Sequence, residues 1–438
     1  MFSDKLFLNT TVLFSDYQFE FAGAQSDFEF KLHSGIRDWM GKMDFNYFPS
    51  IRHNVKFGLN YIYHTFIPGT VTAKSEGVEF DTGDIIEYYA NDGAAYINDE
   101  FDLNDKIRIN AGLRYSVFQH IGPFTRYSKD NAGNVTNSTV FDQGEQVALY
   151  QGLGPRFTFR YAFNSRSSFK AGLTHNYQYI HLASLSALSL PTDIWVPSTD
   201  LVKPQIGTQY STGYFRNFKE NQFETSVEVY YKEMDNQVEY KEGALPEENI
   251  NDNPDNQFTF GKGTSYGVEL FIKKRLGTTT GWIGYTLSKT MRTFPDVNNG
   301  DAFPAKFDRR HDLSVIAMQE VKRWTFSAVF VYGTGNSLTL PVSRYTIEGK
   351  IVNEYGVRNS VRMRPYHRLD VSATLKGKED KKFRSSWNFS VFNVYNRANP
   401  FFIYFDNEGD LNSGSLKITA KQVSLFPILP SITWNFEF

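Results

Sequence analysis

Apolar and polar residues alternate along this chain, again and again. In KIRINAGLRYSVF, Ile107, Ile109, Ala111, Leu113, Tyr115 and Val117 share one face of an extended backbone. Arg108, Asn110, Gly112, Arg114 and Ser116 share the other. In NQFETSVEVYYKE, Phe223, Val227, Val229 and Tyr231 stand against Glu224, Ser226, Glu228 and Lys232. NVKFGLNYIYH and SSFKAGLTHNYQY read the same way. A period of two is strand geometry, whereas a helix would bring Glu224 and Glu228 together and scatter the apolar set. The chain even ends on it: Ile432, Trp434, Phe436 and Phe438 alternate with Thr433, Asn435 and Glu437.

The connections come in two sizes that alternate. Short ones lie near residues 50, 105, 165, 219 and 379. Long polar ones cover roughly 67–83, 119–146, 185–202, 237–256, 292–307, 341–361 and 406–414 and are rich in Gly, Asn, Asp, Pro and Ser. Between them the pattern predicts about sixteen strands: 4–17, 27–48, 52–66, 84–101, 104–118, 147–162, 166–184, 203–217, 220–236, 256–273, 278–291, 309–319, 322–340, 362–375, 383–405 and 415–438. A membrane barrel alternates short turns with long external loops, and each strand needs only about 10 residues to cross. The predicted fold is therefore all-β, an antiparallel transmembrane β-barrel. Arg108, Asn110 and Arg114 on one strand do not suit a dry sandwich core. They suit a wet lumen, with lipid on the apolar side and ring closure pairing the backbone. For a single strand, an amphipathic sheet facing bulk water is the simpler reading. Repetition over about sixteen strands favours the barrel.

Composition agrees. There are 40 Phe, 26 Tyr and 6 Trp, 16% of the chain, yet mean hydropathy is −0.42. Many aromatics with modest hydropathy fit strands that are apolar on one face. Aromatics gather near strand ends at Phe45, Tyr47 and Phe48, at Tyr88 and Tyr89, at Tyr230 and Tyr231, and at Phe401, Phe402, Tyr404 and Phe405, as interfacial girdles do. The formal charge of −2 gives no reason to expect a nucleic-acid partner. The absence of cysteine excludes disulfides and thiolate chemistry. The eight histidines form no HExxH motif, and no cofactor is expected. His175 and Ser211 lack a GxSxG elbow or an evident carboxylate partner, so the chain does not read as an enzyme. The first residues, MFSDKLFLNTTVLF, do not read as a signal peptide.

Several ordered stretches resemble the C-terminal part of a TonB-dependent outer-membrane receptor of the Bacteroidota type. They are YINDEFDLNDKIRINAGLRYSVF, GTSYGVELFIKKRLGTTTGWIGYTLSKTMRTF, FPAKFDRRHDLSV with FVYGTGNSLTLP, and YHRLDVSATL with WNFSVFNVYNRANPFFIYF and the terminal Phe438. The resemblance runs over essentially the whole chain. It implies a barrel of about 22 strands filled by a plug domain. It also implies an outer-membrane location, an extracellular small ligand bound from outside, and energy supplied by the TonB complex through the plug. Lipid and the barrel-assembly machinery, which reads the terminal aromatic, are implied partners, as is a surface lipoprotein in some relatives. The match leaves no stretch that reads as a plug or a TonB-contacting segment. Residues 1–438 are thus expected to be barrel alone, about sixteen strands of the larger set. Closure of sixteen strands into a smaller, open channel is the alternative.

Ligand contacts are expected on the long loops. The candidates are Arg126 and Tyr127 on the 119–146 loop, Trp195 on the 185–202 loop, Arg310 and His311 in the run Asp308-Arg309-Arg310-His311, and Arg344 and Tyr345 on the 341–361 loop. Arginine forks suit carboxylates and phosphates. The Asp308–His311 run reads equally as a device that fixes a loop base, and Asn393, Asn396 and Arg397 as ties from a strand end to neighbouring backbone. Asp406, Asn407, Glu408 and Asp410 only hint at calcium spacing. Pro427 and Pro430 predict a bulge or bend in the last strand.

Overall fold

The computed structural model describes residues 3–25, 28–75, 78–81, 87–130, 135–183, 194–242, 253–347, 350–377, 384–408 and 417–437. Sixteen long strands form one antiparallel meander, each paired with the next in sequence. They are β1 (Leu6–Gln25), β2 (Phe28–Ser50), β3 (His53–Ser75), β4 (Tyr88–Asp102), β5 (Ile107–Ile121), β6 (Gln146–Asn164), β7 (Ser167–Gln178) and β8 (Gln205–Phe218). The second half is β9 (Phe223–Tyr240), β10 (Phe258–Lys274), β11 (Thr279–Thr293), β12 (His311–Val321), β13 (Trp324–Gly333), β14 (Tyr366–Lys376), β15 (Arg384–Phe392) and β16 (Leu429–Glu437). All sixteen match the strands read from the alternation, in order.

Turns of a few residues close one end of the sheet, as at Ile51–Arg52 between β2 and β3 and Lys322–Arg323 between β12 and β13. At the other end β1 and β2 meet at Gln25 and Phe28, but most links are long, and four carry their own two-stranded hairpins. Phe124–Lys129 pairs with Val135–Phe141, Ile180–Ala183 with Ile194–Pro197, Pro341–Ile347 with Lys350–Tyr355, and Pro400–Glu408 with Lys417–Ser424.

Register puts apolar side chains together on the outer face. Tyr115 lies opposite Leu153, and Ala111 opposite Phe157. Val229 pairs with Val268, which pairs with Leu287. These large residues are exposed, and Glu228, Glu269 and Ser116 between them face inward. Tyr210, Tyr231 and Tyr266 form a row across three strands toward the long-loop end. Phe218 and Phe223 pair at the short-turn end. Tyr231 and Phe223 are eight residues apart, roughly 27 Å at strand rise. At the 35–45° tilt of barrel strands this is roughly 19–22 Å of height, most of the ~25 Å apolar band of an outer-membrane barrel. Trp387 stacks on Trp434 with ring centroids 5.8 Å apart, and Trp324 joins their row through Leu375. Of the aromatics read as girdles, Tyr231 stands in the first of these rows, whereas Phe401, Phe402, Tyr404 and Phe405 lie on a loop hairpin rather than on a wall strand. Tyr88 is not part of a girdle: it is 1% exposed and belongs to a packed core among the loops.

Several boundaries differ from the sequence reading: the strand expected over 52–66 runs to Ser75, those over 166–184 and 322–340 end at Gln178 and Gly333, and three more differ as follows. The strand expected over 383–405 ends at Phe392, where Asn393 and Asn396 take positive φ and stop the ladder. The strand expected over 415–438 is two strands, Lys417–Ser424 in a loop hairpin and β16 in the wall, separated at residues 425–428 beside Pro427. The first pair is longer than expected, with β1 and β2 in unbroken register out to Gln25 and Phe28. Closure of the last strand on the first is also not what is found. Among the described residues β1 pairs with β2 alone and β16 with β15 alone, so the sheet has two open edges. Phe438 lies outside the described residues.

Candidate functional site at the long-loop end

Buried apolar side chains gather where the loops fold back on the wall. Phe66, Tyr88, Ala90, Phe118, Phe124 and Tyr179 form one cluster, with Phe118 stacked on Tyr179 at 5.0 Å. Ala183, Val196, Val202, Val238, Tyr240 and Phe258 form a second, and Phe294, Val297 and Phe303 a third. The long loops are polar in composition, yet they supply much of the dry interior. Burial there requires that their polar groups be paired.

Arg126 shows how. It rises from β5 on the Phe124–Lys129 strand, its guanidinium 4.8 Å from the Phe124 ring centroid. Its Nη1 and Nη2 donate to the two Asp255 oxygens at 2.7 and 2.9 Å. Its Nε donates to Asp200 at 3.1 Å, and Nη2 reaches the same carboxylate. Thr199 donates to Asp255 at 2.6 Å. Asn253 accepts the Tyr127 N–H at 2.8 Å and donates to the Thr125 carbonyl at 2.9 Å. Asp255 sits in a single 3₁₀ turn, Pro254–Gln257. Three loops, from β5–β6, β7–β8 and β9–β10, are thus tied at one point. Burial opposes the charge on Arg126, but the Asp255 and Asp200 carboxylates overcome it and hold the guanidinium pKa above its ordinary value.

Two further ties complete the rim. Glu239, at the end of β9, pairs with Arg358 at 2.9 Å and Arg292 at 3.5 Å. Asp308 is 1% exposed, accepts the Thr290 N–H at 2.6 Å and pairs with Arg362. Arg362 also donates to the Asp308 carbonyl at 2.6 Å. Asp308 therefore fixes a loop base, the structural alternative for that run. Asn393 accepts the Arg397 N–H at 3.0 Å and donates to the Arg397 and Phe426 carbonyls, the expected tie to neighbouring backbone.

The ligand candidates fall in different places. Arg126 is buried and fully engaged within the chain. Tyr127 is half-buried beside it, its backbone held by Asn253 and Asn256. Trp195 is half-buried on its hairpin opposite Leu182. His311 shares a face with Tyr285 and Leu287 rather than with the rim, its Nδ1 2.7 Å from the Tyr285 hydroxyl. Arg310 is half-buried and its carbonyl accepts the Ser288 N–H at 3.1 Å. Arg344 and Tyr345 pair through their backbones with Asn353 and Val352, and their side chains lie outside the description, as do those of Asp406 to Asp410. Sequence reasoning missed Asp255, Glu239, Arg292 and Arg362. Their partners are from 53 (Arg292 to Glu239) to 129 residues away, so no local motif announces them.

The fold and the loop-lined mouth are those of the wall of an outer-membrane β-barrel. A model of the family described as "TonB dependent receptor-like, beta-barrel" matches residues 2–396, so the chain belongs to that family. Its place is the bacterial outer membrane. No curated protein sequence matches. Among solved structures it resembles the ferric yersiniabactin uptake receptor FyuA from Yersinia pestis, with TM-score 0.65 and 13% identity. It resembles the ferric citrate transporter FecA at 0.64 and 10%, and the copper transporter OprC at 0.62 and 11%. These matches cover 99–100% of this chain but only 59–63% of those proteins. The chain therefore spans about three fifths of the length of the solved relatives. The family and these neighbours are receptors and transporters, not enzymes.

Proposed function

We propose that residues 1–438 are the barrel wall of an energised outer-membrane nutrient receptor, of the Bacteroidota type. In this reading a plug domain fills the lumen and further strands close the sheet. The TonB complex pulls on the plug after an extracellular ligand has bound. The observation that carries the reading is the sixteen-strand meander with open edges at β1 and β16, which covers whole-chain but three-fifths-neighbour length. Ligand class is a siderophore, vitamin, glycan or peptide. The neighbours are described as taking ferric yersiniabactin, ferric citrate and copper. Contacts come from the long loops of the mouth: Trp195, Tyr127, Arg344 and Tyr345 are the candidates. Arg310 and His311 support the loop base, and Arg126 holds the loops. A surface lipoprotein covering the mouth is a further partner in this scheme.

Conductance in planar bilayers tests it. The native product, extracted from the outer membrane, is expected to be nearly silent until its plug is displaced. A steady open channel would instead favour a passive diffusion pore.

A further inference from the structure

The outer face is not evenly filled. From β8 to β11 the row Tyr214, Val227, Leu270 and Tyr285 is large throughout. Across β12 to β15 the wall dips instead. Ala317 lies opposite Ala328, and Ala373 lies between Phe326 on one side and Phe389 on the other. Phe326 and Phe389 are both exposed and stand two strand spacings apart, roughly 9.5 Å. A hydrocarbon chain laid over Ala373 therefore comes near van der Waals contact with a ring on each side. With Val371, Val391 and Ile432 these residues line an apolar hollow of about 620 Å³. Thr279 and Gln319, which also line it, hydrogen-bond to one another.

One end of the hollow is charged. Trp324, Trp387 and Trp434 stand in the next row toward the short turns, with Trp324 stacked on Phe326 at 6.0 Å. Beyond them Lys322 and Arg323 form the β12–β13 turn, and both are exposed. Arg323 donates through Nε to the Lys376 carbonyl at 2.8 Å, and Lys376 pairs with Glu320 at 3.3 Å. Neither Lys322 nor Arg323 has a carboxylate partner among the described residues. Arg323 and Ala328 are five residues apart, roughly 17 Å along the strand. Cations, indoles and hydrocarbon slot thus follow one another in the order of phosphate, ester and acyl chain. A second copy packed here by two-fold symmetry would bring Lys322 and Arg323 of both chains together, which like-charge repulsion opposes.

The geometry points to a binding site for one anionic diacyl phospholipid on the outer face of β12 to β15, in the leaflet on the short-turn, periplasmic side. An acyl chain lies over Ala373 and Ala328 between Phe326 and Phe389. The phosphate meets Lys322 and Arg323, and the Trp324 row stands at the level of the esters. Two unpaired cations at the headgroup favour a lipid of net negative charge over a zwitterionic one. The site belongs to the wall itself and does not depend on a plug or on what binds at the mouth.

Native mass spectrometry tests it, on the native product extracted in mild detergent and offered phosphatidylglycerol or phosphatidylcholine with the same acyl chains. One phosphatidylglycerol per chain is expected to be held, about tenfold tighter than phosphatidylcholine. Ala373→Phe fills the slot and should abolish retention of either lipid. Lys322→Gln with Arg323→Gln, in an exposed turn, should bring the two lipids to equal affinity. Leu270→Phe, on the filled part of the wall, should change neither. Phosphatidylglycerol held as firmly by Ala373→Phe, or a preference that survives loss of both cations, overturns the site. So does a dimer without lipid that Ala373→Phe splits, which assigns the hollow to a second copy. If Ala373→Phe fails to assemble, the turn variant decides alone.

Discussion

The two ends of the wall are built differently. At the short-turn end, charged side chains pair in the open: Arg275 holds Glu224 at 2.5 Å with both side chains substantially exposed. At the long-loop end, Arg126 holds Asp255 with their side chains 9% and 1% exposed. The same chemistry has opposite consequences. An exposed pair is screened and contributes little, whereas breaking a buried one strands a charge in a dry place. All three buried apolar clusters lie toward the loops. The wall gains its order from ladders and lipid, and the mouth from a core of its own.

The largest expected effect is therefore at the mouth. Asp255→Ala should destabilise the loop core by about 3–5 kcal/mol. Hydrogen exchange should show faster opening across the loops after β5, β7 and β9, while the wall strands stay protected. Equal loosening of loops and wall would erase the distinction between the two ends. Next comes the outer face. Val229→Lys puts a charge in the lipid band and should cost about 2–4 kcal/mol, measured by denaturant unfolding in liposomes. A cost near zero would mean this face does not meet lipid.

The mouth should also respond to acid. His181 is fully buried on its loop hairpin, its Nε2 2.9 Å from the Ser198 hydroxyl. Burial pushes its pKa down to about 4. The unfolded imidazole titrates near 6.5. Between these values the open loop binds the proton and the closed loop does not. Stability is thus full above about pH 6.5 and falls toward pH 4, by on the order of 2 kcal/mol. His181→Gln should flatten that slope in exchange measured from pH 7.5 to 4. The smallest effect belongs to the short turns. Arg275→Ala should cost less than about 1 kcal/mol and less still in high salt.

The wall was legible because alternation reports the sheet face directly, strand by strand. It stopped β1 and β3 short of Gln25 and Ser75, and it misled where a loop hairpin carries the same period. Pro400–Glu408 and Lys417–Ser424 alternate as wall strands do, so periodicity merged them with β15 and β16. The positive-φ asparagines 393 and 396 were visible in the sequence, but their role depends on Phe426 and Asp370, which are distant. The mouth was hardly legible at all. Arg126 stood out as a charged loop residue, which is how a ligand contact looks. Only the fold shows that Asp255, 129 residues on, closes over it. The inner face was half legible: Arg108, Asn110 and Arg114 were read as lumen residues, but which residues stand beside them on neighbouring strands needs the register.

The receptor account turns most directly on the intact mass of the native product, extracted from the outer membrane of its source cell. A mass well above 50.4 kDa, with peptides of residues 1–438 at its C-terminal part, is the predicted result. A mass near 50.4 kDa would contradict a plug and closing strands carried on the same chain, and with them energised uptake by this product.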